Sequence, residues 1–445
     1  MSAARQDLYR EKYRPQYHFT ARQWTVNVLN PDKQEEGWLN DPNGLIFLNG
    51  EYHLFAQRWA KCWIHAVSKD LIHWKEVQPA FWDDDRFGTG VQSGSTVYDT
   101  QNTSGLAHST AHPALIAFWS GFDNMSQCIS VSLDSGETWT KYDGNPLFLH
   151  PERDPKVFWY EPTGSWFMVL SCHGSYEFFS SYDLLHWTPT KCVIPNSYEC
   201  PDIFRLPIEG DMNNQKWVLV RGDGSYSIGN FDGDSFVEET VQIRSDQGPN
   251  FYATMSWGDI PDHPGRRIQI AWMRGGLYPD MPFNQQMSFP CDLSLKQTAC
   301  GVRMLRTPIP EVKCLHGDPT TLNDQVLTKS ETITIPSYEG LLHLKLQLDV
   351  ANEGAFEIEV FGTSVQFTSH TVACLSAPVA LIEPLGKVEM LVDRTSIEVF
   401  VNDGEVSLSA CFLPRTEEMI IRCLCGSVVI RDASIFPLRS IWIPD

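Results

Sequence analysis

Residues 38–44 read Trp-Leu-Asn-Asp-Pro-Asn-Gly, and the apolar run Leu-Ile-Phe-Leu follows at residues 45–48. Pro42 fixes its own φ at a turn position, and the Asn-Gly pair after it tolerates positive φ. The stretch therefore predicts a tight turn that leads into a β-strand. Asp41 is then either an ordinary turn residue or a functional carboxylate that the turn holds at the end of a strand.

Two later stretches also place an acid beside a proline. Residues 152–155 read Glu-Arg-Asp-Pro, and residues 199–202 read Glu-Cys-Pro-Asp. Proline marks the ends of strands, so these acids are expected where strands begin or end. Glycosidases work with a pair of carboxyl groups that flank the bond to be broken. Three carboxylates at such positions therefore indicate a glycosidase site.

The three stretches, in this order and with these spacings, resemble those of glycoside hydrolase family 32, the family of invertases, inulinases and levanases. Other segments resemble the family in the same order along the chain. They are His65–Ser68 with Asp70–Trp74, Ser93–Ser95, Asp246–Gly248 with Phe251–Ala253, Gly265–Ile268 with Ala271–Met273, Met287–Pro290 and Asp393–Phe400. The resemblance covers almost the whole chain, from about Tyr17 onward.

The resemblance implies an all-β protein, a five-bladed β-propeller followed by a C-terminal β-sandwich. It also implies a retaining mechanism in which Asp41 is the nucleophile and Glu199 is the acid/base. Asp154 would stabilise the transition state by hydrogen-bonding the fructose hydroxyls, and Arg153 beside it would orient these groups. We predict no metal ion and no cofactor, because the sequence shows no ligand cluster of suitable spacing.

Around the bound fructose, the resemblance points to Asn40, Gln57, Ser93 and Trp272. Three of these have a structural alternative, since Gln57 could cap a strand edge, Ser93 could lie in a turn and Trp272 could be core. Asp202, which follows the acid/base, could tune that acid or form a structural salt bridge. The sequence leaves these alternatives open.

One segment departs from the family pattern. Family members usually have a longer segment between the glutamine strand and the His-Ala-Val-Ser strand, commonly with a tryptophan that lines the fructose pocket. Here the segment from Gln57 to His65 is short, and Ile64 stands where glycine is usual. The pocket tryptophan is then Trp59 or Trp63, or its role is lost. We expect the rim of the pocket to be reshaped there.

Short apolar or alternating runs separated by Gly, Pro, Asn and Asp are typical of many short strands. Residues 68–74, Ser-Lys-Asp-Leu-Ile-His-Trp, return at 181–187 as Ser-Tyr-Asp-Leu-Leu-His-Trp, and looser versions occur at 132–139 and 231–236. Steps of about 50 to 65 residues suit four-stranded propeller blades, which place distant acids around one axis. We interpret the two His-Trp echoes, at 68–74 and 181–187, as hairpin ends whose tryptophans pack between blades.

The domain boundaries follow from a change in pattern. Residues 301–324 are punctuated by proline and are predicted to be irregular. After them, leucines alternate with polar residues over 342–349, which is typical of a sheet with one wet face. We predict a propeller over residues 1–305, a linker over 306–324 and a β-sandwich over 325–445.

The composition restricts the partners. A net charge of −21 over 445 residues disfavours nucleic acid and anionic membranes and suits a neutral substrate such as sugar. No apolar run approaches the roughly 18 residues that a membrane span needs. Residues 1–16 are polar and show no secretory signal, and the 12 cysteines are scattered. These features predict free thiols and a cytoplasmic protein, with a mature secreted form left open.

We therefore predict a retaining β-fructofuranosidase that cleaves terminal β-D-fructofuranosyl linkages of sucrose, inulin or levan. A fructosyltransferase, including one that closes two fructoses into a cyclic dianhydride, would use the same three acids with a sugar hydroxyl as acceptor. A third hypothesis is a non-catalytic propeller that binds sugar or protein. The intact Asp41, Asp154 and Glu199 argue against it.

Overall fold

A computed structural model describes residues 9–22, 36–83 and 90–442. Helix is rare in this part of the chain and occurs as three short 3₁₀ segments, Glu161–Thr163, Pro310–Leu315 and Tyr338–Gly340. None of the described helices is long and apolar enough to cross a membrane. The predicted outer ends of the two domains, residues 1 and 445, lie outside the described residues.

Antiparallel strands build five successive sheets between residues 42 and 308, after the two-residue strand β1 (Gly37–Trp38). The first sheet contains β2 (Pro42–Leu48), β3 (Glu51–Arg58), β4 (Cys62–Ser68) and β5 (Lys75–Trp82). The second contains β6 (Val91–Tyr98), β7 (Leu115–Gly121), β8 (Ser126–Ser132), β9 (Thr140–Lys141) and β10 (Phe148–Leu149). The third contains β11 (Lys156–Tyr160), β12 (Ser165–Cys172), β13 (Ser175–Ser181) and β14 (Thr188–Pro195).

The fourth and fifth sheets complete this part of the chain. The fourth contains β15 (Asp202–Ile208), β16 (Asp211–Val220), β17 (Ser225–Phe231), β18 (Phe236–Glu238) and β19 (Ile243–Arg244). The fifth contains β20 (Tyr252–Trp257), β21 (Arg267–Trp272), β23 (Cys291–Thr298) and β24 (Gly301–Pro308), while β22 (Phe283–Asn284) pairs with β1. A single parallel contact between β15 and β23 links the two sheets.

The first strand of each sheet lies next to the first strand of a neighbouring sheet. Strand β2 contacts β6 and β20, β6 contacts β11, and β15 contacts β20. Strands β11 and β15 are joined by an ion pair, in which Lys156 Nζ lies 2.8 Å from Asp202 Oδ1. The five sheets are thus the blades of a propeller, and Asp202 forms a structural salt bridge. Asp41, Asp154 and Glu199 each lie within three residues of the start of a first strand, at one end of the propeller, which we call the mouth.

The repeated turns lie at the opposite end, between the third and fourth strands of different blades. Asp70 Oδ1 accepts backbone N–H groups two and three residues later, at 2.9 and 2.8 Å. Asp183 repeats this in the third blade at 3.0 and 2.8 Å. Trp74 stacks on Trp257 of the fifth blade with ring centroids 5.9 Å apart. The interpretation of the echo as a structural turn with a tryptophan between blades is confirmed.

Two six-stranded antiparallel sheets form the β-sandwich. One contains β25 (Thr320–Thr328), β27 (Leu342–Val350), β32 (Lys387–Asp393), β33 (Ser396–Val401), β34 (Val406–Cys411) and β36 (Ser427–Pro437). The other contains β26 (Thr332–Ile335), β28 (Ala355–Val360), β29 (Thr363–Thr368), β30 (Thr371–Cys374), β31 (Val379–Ala380) and β35 (Met419–Cys425). The alternating leucines of β27 face the core between the sheets.

The predicted irregular stretch over residues 301–324 is wrong at both ends. Residues 301–308 form β24, which pairs with β23 along its whole length, and β25 begins at Thr320. Pro308 ends the one strand and Pro310 opens the short helix that follows, so the prolines mark only a brief junction. The structured part of each domain therefore reaches into the predicted linker.

A buried ionic network joins the propeller to the sandwich. The ring nitrogens of His18 lie 2.9 Å from Asp393 Oδ2 and 2.8 Å from Glu398 Oε2. Arg306 lies between Asp246 and Glu398, with N–O distances of 3.1 and 3.4 Å. Burial alone would lower the pKa of His18, but hydrogen bonds to Asp393 and Glu398 outweigh it and raise the pKa to about 9.

This network predicts a pH-dependent loss of stability in the variant His18→Gln. Because folding raises the pKa, protonated His18 contributes fully below the unfolded-state value of about 6.5, and the contribution is lost as the pH rises through about 9. We expect the variant to lose about 3 kcal/mol of unfolding free energy at pH 6 and much less at pH 10, measured by urea titration. His186→Gln, in an exposed pair with Asp183, is the matched control. A wild-type-to-variant difference that is the same at both pH values would contradict a charged His18.

Candidate active site

Asp41 lies at the centre of a hydrogen-bonded group that contains three of the predicted substrate contacts. Ser93 Oγ donates to Asp41 Oδ2 at 2.6 Å, and it also lies 3.0 Å from Gln57 Oε1. Asn40 Nδ2 donates to the same Gln57 oxygen at 2.7 Å. The backbones of Asn40 and Asp41 pair with Gln57 at the mouth end of β3. These three side chains therefore hold the predicted nucleophile in place, whether or not they also touch substrate.

The carboxyl group of Asp41 is half-buried, and burial raises its pKa above the ordinary value. Hydrogen bonds from Ser93 and Asn40 act in the opposite direction, and the charge of Glu199 raises the pKa further. Ser93 and Asn40 thus favour the ionised form that a nucleophile requires.

Asp154 is the most deeply buried of the three acids, with 4% of its surface exposed. Its backbone has a positive φ of 65°, and its Oδ2 accepts the backbone N–H of Cys200 at 2.9 Å. Burial and then the charge of Asp41 raise the pKa of Asp154 to about 7. A carboxyl group with a pKa near neutrality can exchange a proton with a bound hydroxyl group or form a strong hydrogen bond with it.

The thiol of Cys200 lies between two of the acids, 3.7 Å from Asp41 Oδ2 and 3.6 Å from Asp154 Oδ2. Burial and the charges of Asp154 and Asp41 raise the pKa of this thiol well above its usual range. A protonated thiol is a poor nucleophile. Cys200 therefore packs and positions the two carboxyl groups, in agreement with its exclusion as a nucleophile from the sequence.

Glu199 is fixed through its backbone. Its φ is 44°, a region that non-glycine residues rarely occupy. Its N–H donates to Ser171 Oγ at 3.0 Å, and its carbonyl accepts from Tyr176 Oη at 2.7 Å. The surrounding bonds hold this uncommon conformation, which directs the side chain into the mouth.

Both carboxylate oxygens of Glu199 have a donor. Arg153 Nη2 bonds Oε1, and the hydroxyl of Tyr252 donates to Oε2. Arg153 Nε also lies 4.0 Å from Asp154 Oδ2. Arg153 therefore connects two of the acids, which fits its predicted orienting role.

Tyr252 is a site residue that we did not predict. It opens β20, the first strand of the fifth blade, whereas Asp41 directly precedes β2, the first strand of the first blade. Burial and the hydrogen bond to Glu199 raise its pKa well above the ordinary value, so its hydroxyl remains a donor. Trp272, which we predicted as a substrate contact, is half-buried beside it with ring centroids 6.4 Å apart. The sequence signal was the Phe-Tyr-Ala triplet, which we noted only as part of the family resemblance.

The structure separates the two predicted pocket tryptophans. Trp63 is fully buried in the core between the first two blades, and its indole N–H donates to the carbonyl of Gln92 at 3.0 Å. The assignment of Trp63 to substrate is therefore wrong, because no part of its surface is accessible. Trp59 lies on the turn after β3 and stacks on Trp38 with ring centroids 5.6 Å apart. Of the two, Trp59 can meet a ligand.

Two groups of side chains in the described residues have an arrangement that could hold a metal ion. They are Asp70, His73 and Cys314, and His150, Cys172 and Glu177. Neither group includes any of the three acids. In the first group, Asp70 and His73 belong to the repeated turn. Cys314 lies far from them in the sequence, so the spacing of residues along the chain does not predict this group. In the second, His150 Nδ1 accepts the backbone N–H of Glu152 at 3.3 Å, which supports the loop before Arg153.

Carboxyl groups from three blades thus meet at one mouth, with an arginine between Asp154 and Glu199 and a tyrosine that also bonds Glu199. Carboxyl groups that flank one open site are the arrangement with which glycoside hydrolases cleave their substrates.

Comparison with known proteins identifies the family. The model for the glycosyl hydrolases family 32 N-terminal domain matches residues 33–308, and the C-terminal model of that family matches residues 345–426. The chain belongs to glycosyl hydrolase family 32. The predicted family and fold class are confirmed.

Relatives of this chain include both bacterial and fungal enzymes. A levanase of Bacillus subtilis (strain 168) is 31% identical, and the alignment covers 99% of this chain and 72% of the levanase. An extracellular exo-inulinase of Aspergillus niger is 27% identical, with 98% of this chain and 96% of that enzyme covered. The crystal structure of an exo-inulinase from Aspergillus awamori has a TM-score of 0.82 at 26% identity, covering 98% of this chain and 100% of that chain.

Proposed function

We propose that this protein is a retaining β-fructofuranosidase that hydrolyses terminal β-D-fructofuranosyl linkages of sucrose, inulin or levan. The observation that carries the proposal is the convergence of Asp41, Asp154 and Glu199 from three blades. Asp41 and Asp154 share the Cys200 thiol, and Arg153 links Asp154 to Glu199. The relatives named above are a levanase and exo-inulinases, which supports a fructose-containing carbohydrate as substrate.

The first step breaks the glycosidic bond. Asp41 attacks the anomeric carbon of the fructosyl unit, and Glu199, in its protonated form, gives its proton to the departing oxygen. The products of this step are a fructosyl ester on Asp41 and the free leaving group. Asp154 accepts hydrogen bonds from the ring hydroxyls, and these bonds strengthen as the oxocarbenium-like transition state forms.

The second step releases fructose. Glu199 is now a carboxylate, and it takes a proton from a water molecule that attacks the same anomeric carbon. The ester breaks, Asp41 leaves as a carboxylate, and the β configuration is retained after two inversions. The donors on Glu199, Arg153 and Tyr252, hold its carboxylate oxygens in place for this half of the cycle.

The proposal is tested by the products formed from sucrose, inulin and levan. We expect free fructose to accumulate from the start of the reaction and to appear first as the β-anomer in NMR spectra. Oligosaccharides longer than the substrate, or a cyclic difructose, as the main product would assign the protein as a fructosyltransferase. Binding of these carbohydrates with no turnover of any of them would indicate a non-catalytic propeller.

A further inference from the structure

A histidine, a cysteine and a glutamate that the proposed mechanism does not use lie together beside the active site. The ligand atoms of His150, Cys172 and Glu177 all lie within 4.8 Å of one another. His150 Nε2 is 3.2 Å from Glu177 Oε2. His150 and Cys172 are buried, whereas the Glu177 side chain is 38% exposed, so the group can be reached from solvent. We call these three side chains the His-Cys-Glu group.

The fold brings the group together from two blades. Cys172 ends β12 and Glu177 lies in β13, the next strand of the third blade. Glu177 pairs with Leu170, two residues before Cys172, so Cys172 and Glu177 are diagonal neighbours on one face of the hairpin. His150 directly follows β10 of the second blade. The sequence did not predict this group, because its members are spread over three separate elements.

The three ligand atoms are of the types that a zinc ion binds. Zn²⁺ takes imidazole nitrogen, thiolate sulfur and carboxylate oxygen at about 2.0 to 2.3 Å, which places tetrahedral ligands about 3.3 to 3.7 Å from one another. The separation of 3.2 Å between His150 and Glu177 is already close to this value. A shift of roughly 1 Å or less brings the Cys172 sulfur to the same ion.

The cysteine side of the group is joined to the acid/base. Ser171, which precedes Cys172, donates its backbone N–H to the carbonyl of Arg153 at 3.1 Å. The hydroxyl of Ser171 accepts the backbone N–H of Glu199 at 3.0 Å. A movement of Cys172 toward an ion therefore acts on the residue that holds both Arg153 and Glu199.

The histidine side is joined to the loop before Arg153. The backbone N–H of Glu152 donates to His150 Nδ1 at 3.3 Å, so the neutral ring carries its proton on Nε2, which faces Glu177. The Glu152 carboxylate also pairs with Arg153, with Oε2 3.1 Å from Nη1. The position of Arg153 thus depends on a ring tautomer that leaves Nδ1 free to accept.

A metal ion on His150 reverses this tautomer. The ion takes the place of the proton on Nε2, and the neutral imidazole then carries its proton on Nδ1. Two N–H donors, those of Nδ1 and Glu152, would face each other, so the hydrogen bond breaks and the loop shifts. Arg153 is the next residue, and it bonds Glu199. Ion binding therefore moves a group of the active site.

We propose that the His-Cys-Glu group is an inhibitory site for a zinc-like divalent cation. Burial, and then the hydrogen bond and charge of Glu177, raise the pKa of the Cys172 thiol to about 11, so the thiol is protonated before the ion binds. Binding forms bonds from the ion to Nε2, to sulfur and to a carboxylate oxygen, and it releases the thiol proton to solvent. The loss of turnover rests on the proposed function, whereas ion binding does not.

Binding is tested in the metal-free full-length protein with Co²⁺ as the probe. We expect thiolate-to-cobalt charge-transfer absorption, which Zn²⁺ abolishes by competition. Cys172→Ser should lose this absorption, and Glu177→Gln, a change at a half-exposed position that the fold tolerates, should weaken Co²⁺ binding by about tenfold or more. Cys314→Ser is the matched control, because Cys314 belongs to the other group that could hold a metal ion. It should keep the absorption.

The effect on the reaction is measured with sucrose. Saturating Zn²⁺ should lower kcat by about tenfold or more with little change in KM, because the ion displaces Arg153 without occupying the fructose site. A chelator should restore kcat. The same Zn²⁺ concentration should leave Cys172→Ser and Glu177→Gln at their own metal-free kcat values.

Three results would overturn the proposed site. One is the absence of thiolate-to-cobalt absorption in the wild-type protein, and another is absorption that Cys314→Ser abolishes and Cys172→Ser keeps. The third is Zn²⁺ binding to the group with unchanged kcat, or inhibition that persists in Cys172→Ser and disappears in Cys200→Ser, since the ion would then act at the thiol between the two aspartates. Co²⁺ absorption that depends on Cys172 in a protein without fructosidase activity would contradict only the proposed function.

Discussion

Asp41→Asn is expected to lower kcat by about 10⁴-fold or more on sucrose and on fructans. The amide has nearly the shape of the carboxylate and can keep the contact with Ser93 Oγ. What it loses is the charge and the nucleophilic oxygen that form the fructosyl ester. Glu199 cannot replace this group, because Arg153 and Tyr252 hold it for the leaving group and the water.

Substitutions of two other aspartates, Asp154 and Asp183, are the comparisons for this result. Asp154→Asn should lower kcat by about 10²- to 10³-fold, because it weakens the hydrogen bonds to the ring hydroxyls. The effect should be smaller than that of Asp41→Asn, since the nucleophile and the acid/base remain in place. Asp183→Asn, in the exposed turn at the far end of the propeller, should leave kcat unchanged. Circular dichroism establishes that each variant is folded. A folded Asp41→Asn protein with more than a tenth of the wild-type kcat would remove Asp41 from the role of nucleophile.

The positions of the three acids could be predicted because local sequence fixes them. A proline follows Asp41 and Asp154 directly and follows Glu199 by two residues, and each acid lies where a first strand is about to begin. Once the chain was assigned to a propeller, the first strands had to surround one axis, and the acids had to meet at one mouth.

Features that depend on packing between distant segments could not be predicted. Trp59 and Trp63 look equivalent in sequence, but the turn at 59–61 leaves Trp59 exposed and directs Trp63 into the core. Tyr252 has no acid or proline beside it to draw attention, and its role follows only from the fold that brings it to Glu199. The strand at 301–308 was missed because the prolines at its end suggested a longer break than the structure shows.

The variant Glu199→Ala separates the two halves of the proposed mechanism. Departure of an ordinary sugar should slow by several orders of magnitude, since no acid remains to protonate its oxygen. An activated fructoside, whose leaving group needs little protonation, should still react with Asp41. The second step stays slow because water has lost its base, so a fructosyl ester should accumulate and be visible as a mass increase on the peptide that contains Asp41. Asp41→Asn, treated in the same way, should show no adduct.

The structure also predicts how the adduct can be released. Removal of the Glu199 carboxylate leaves the guanidinium of Arg153 and the hydroxyl of Tyr252 directed at the vacated space. Such a site favours a small anion. Azide should therefore bind there and attack the ester without needing a base, giving β-fructosyl azide and restoring turnover. Adding Arg153→Lys or Tyr252→Phe should weaken the rescue but leave the adduct on Asp41. An adduct found on Asp154 would exchange the roles of the two aspartates, and a fructosyl azide of inverted configuration would exclude the covalent intermediate.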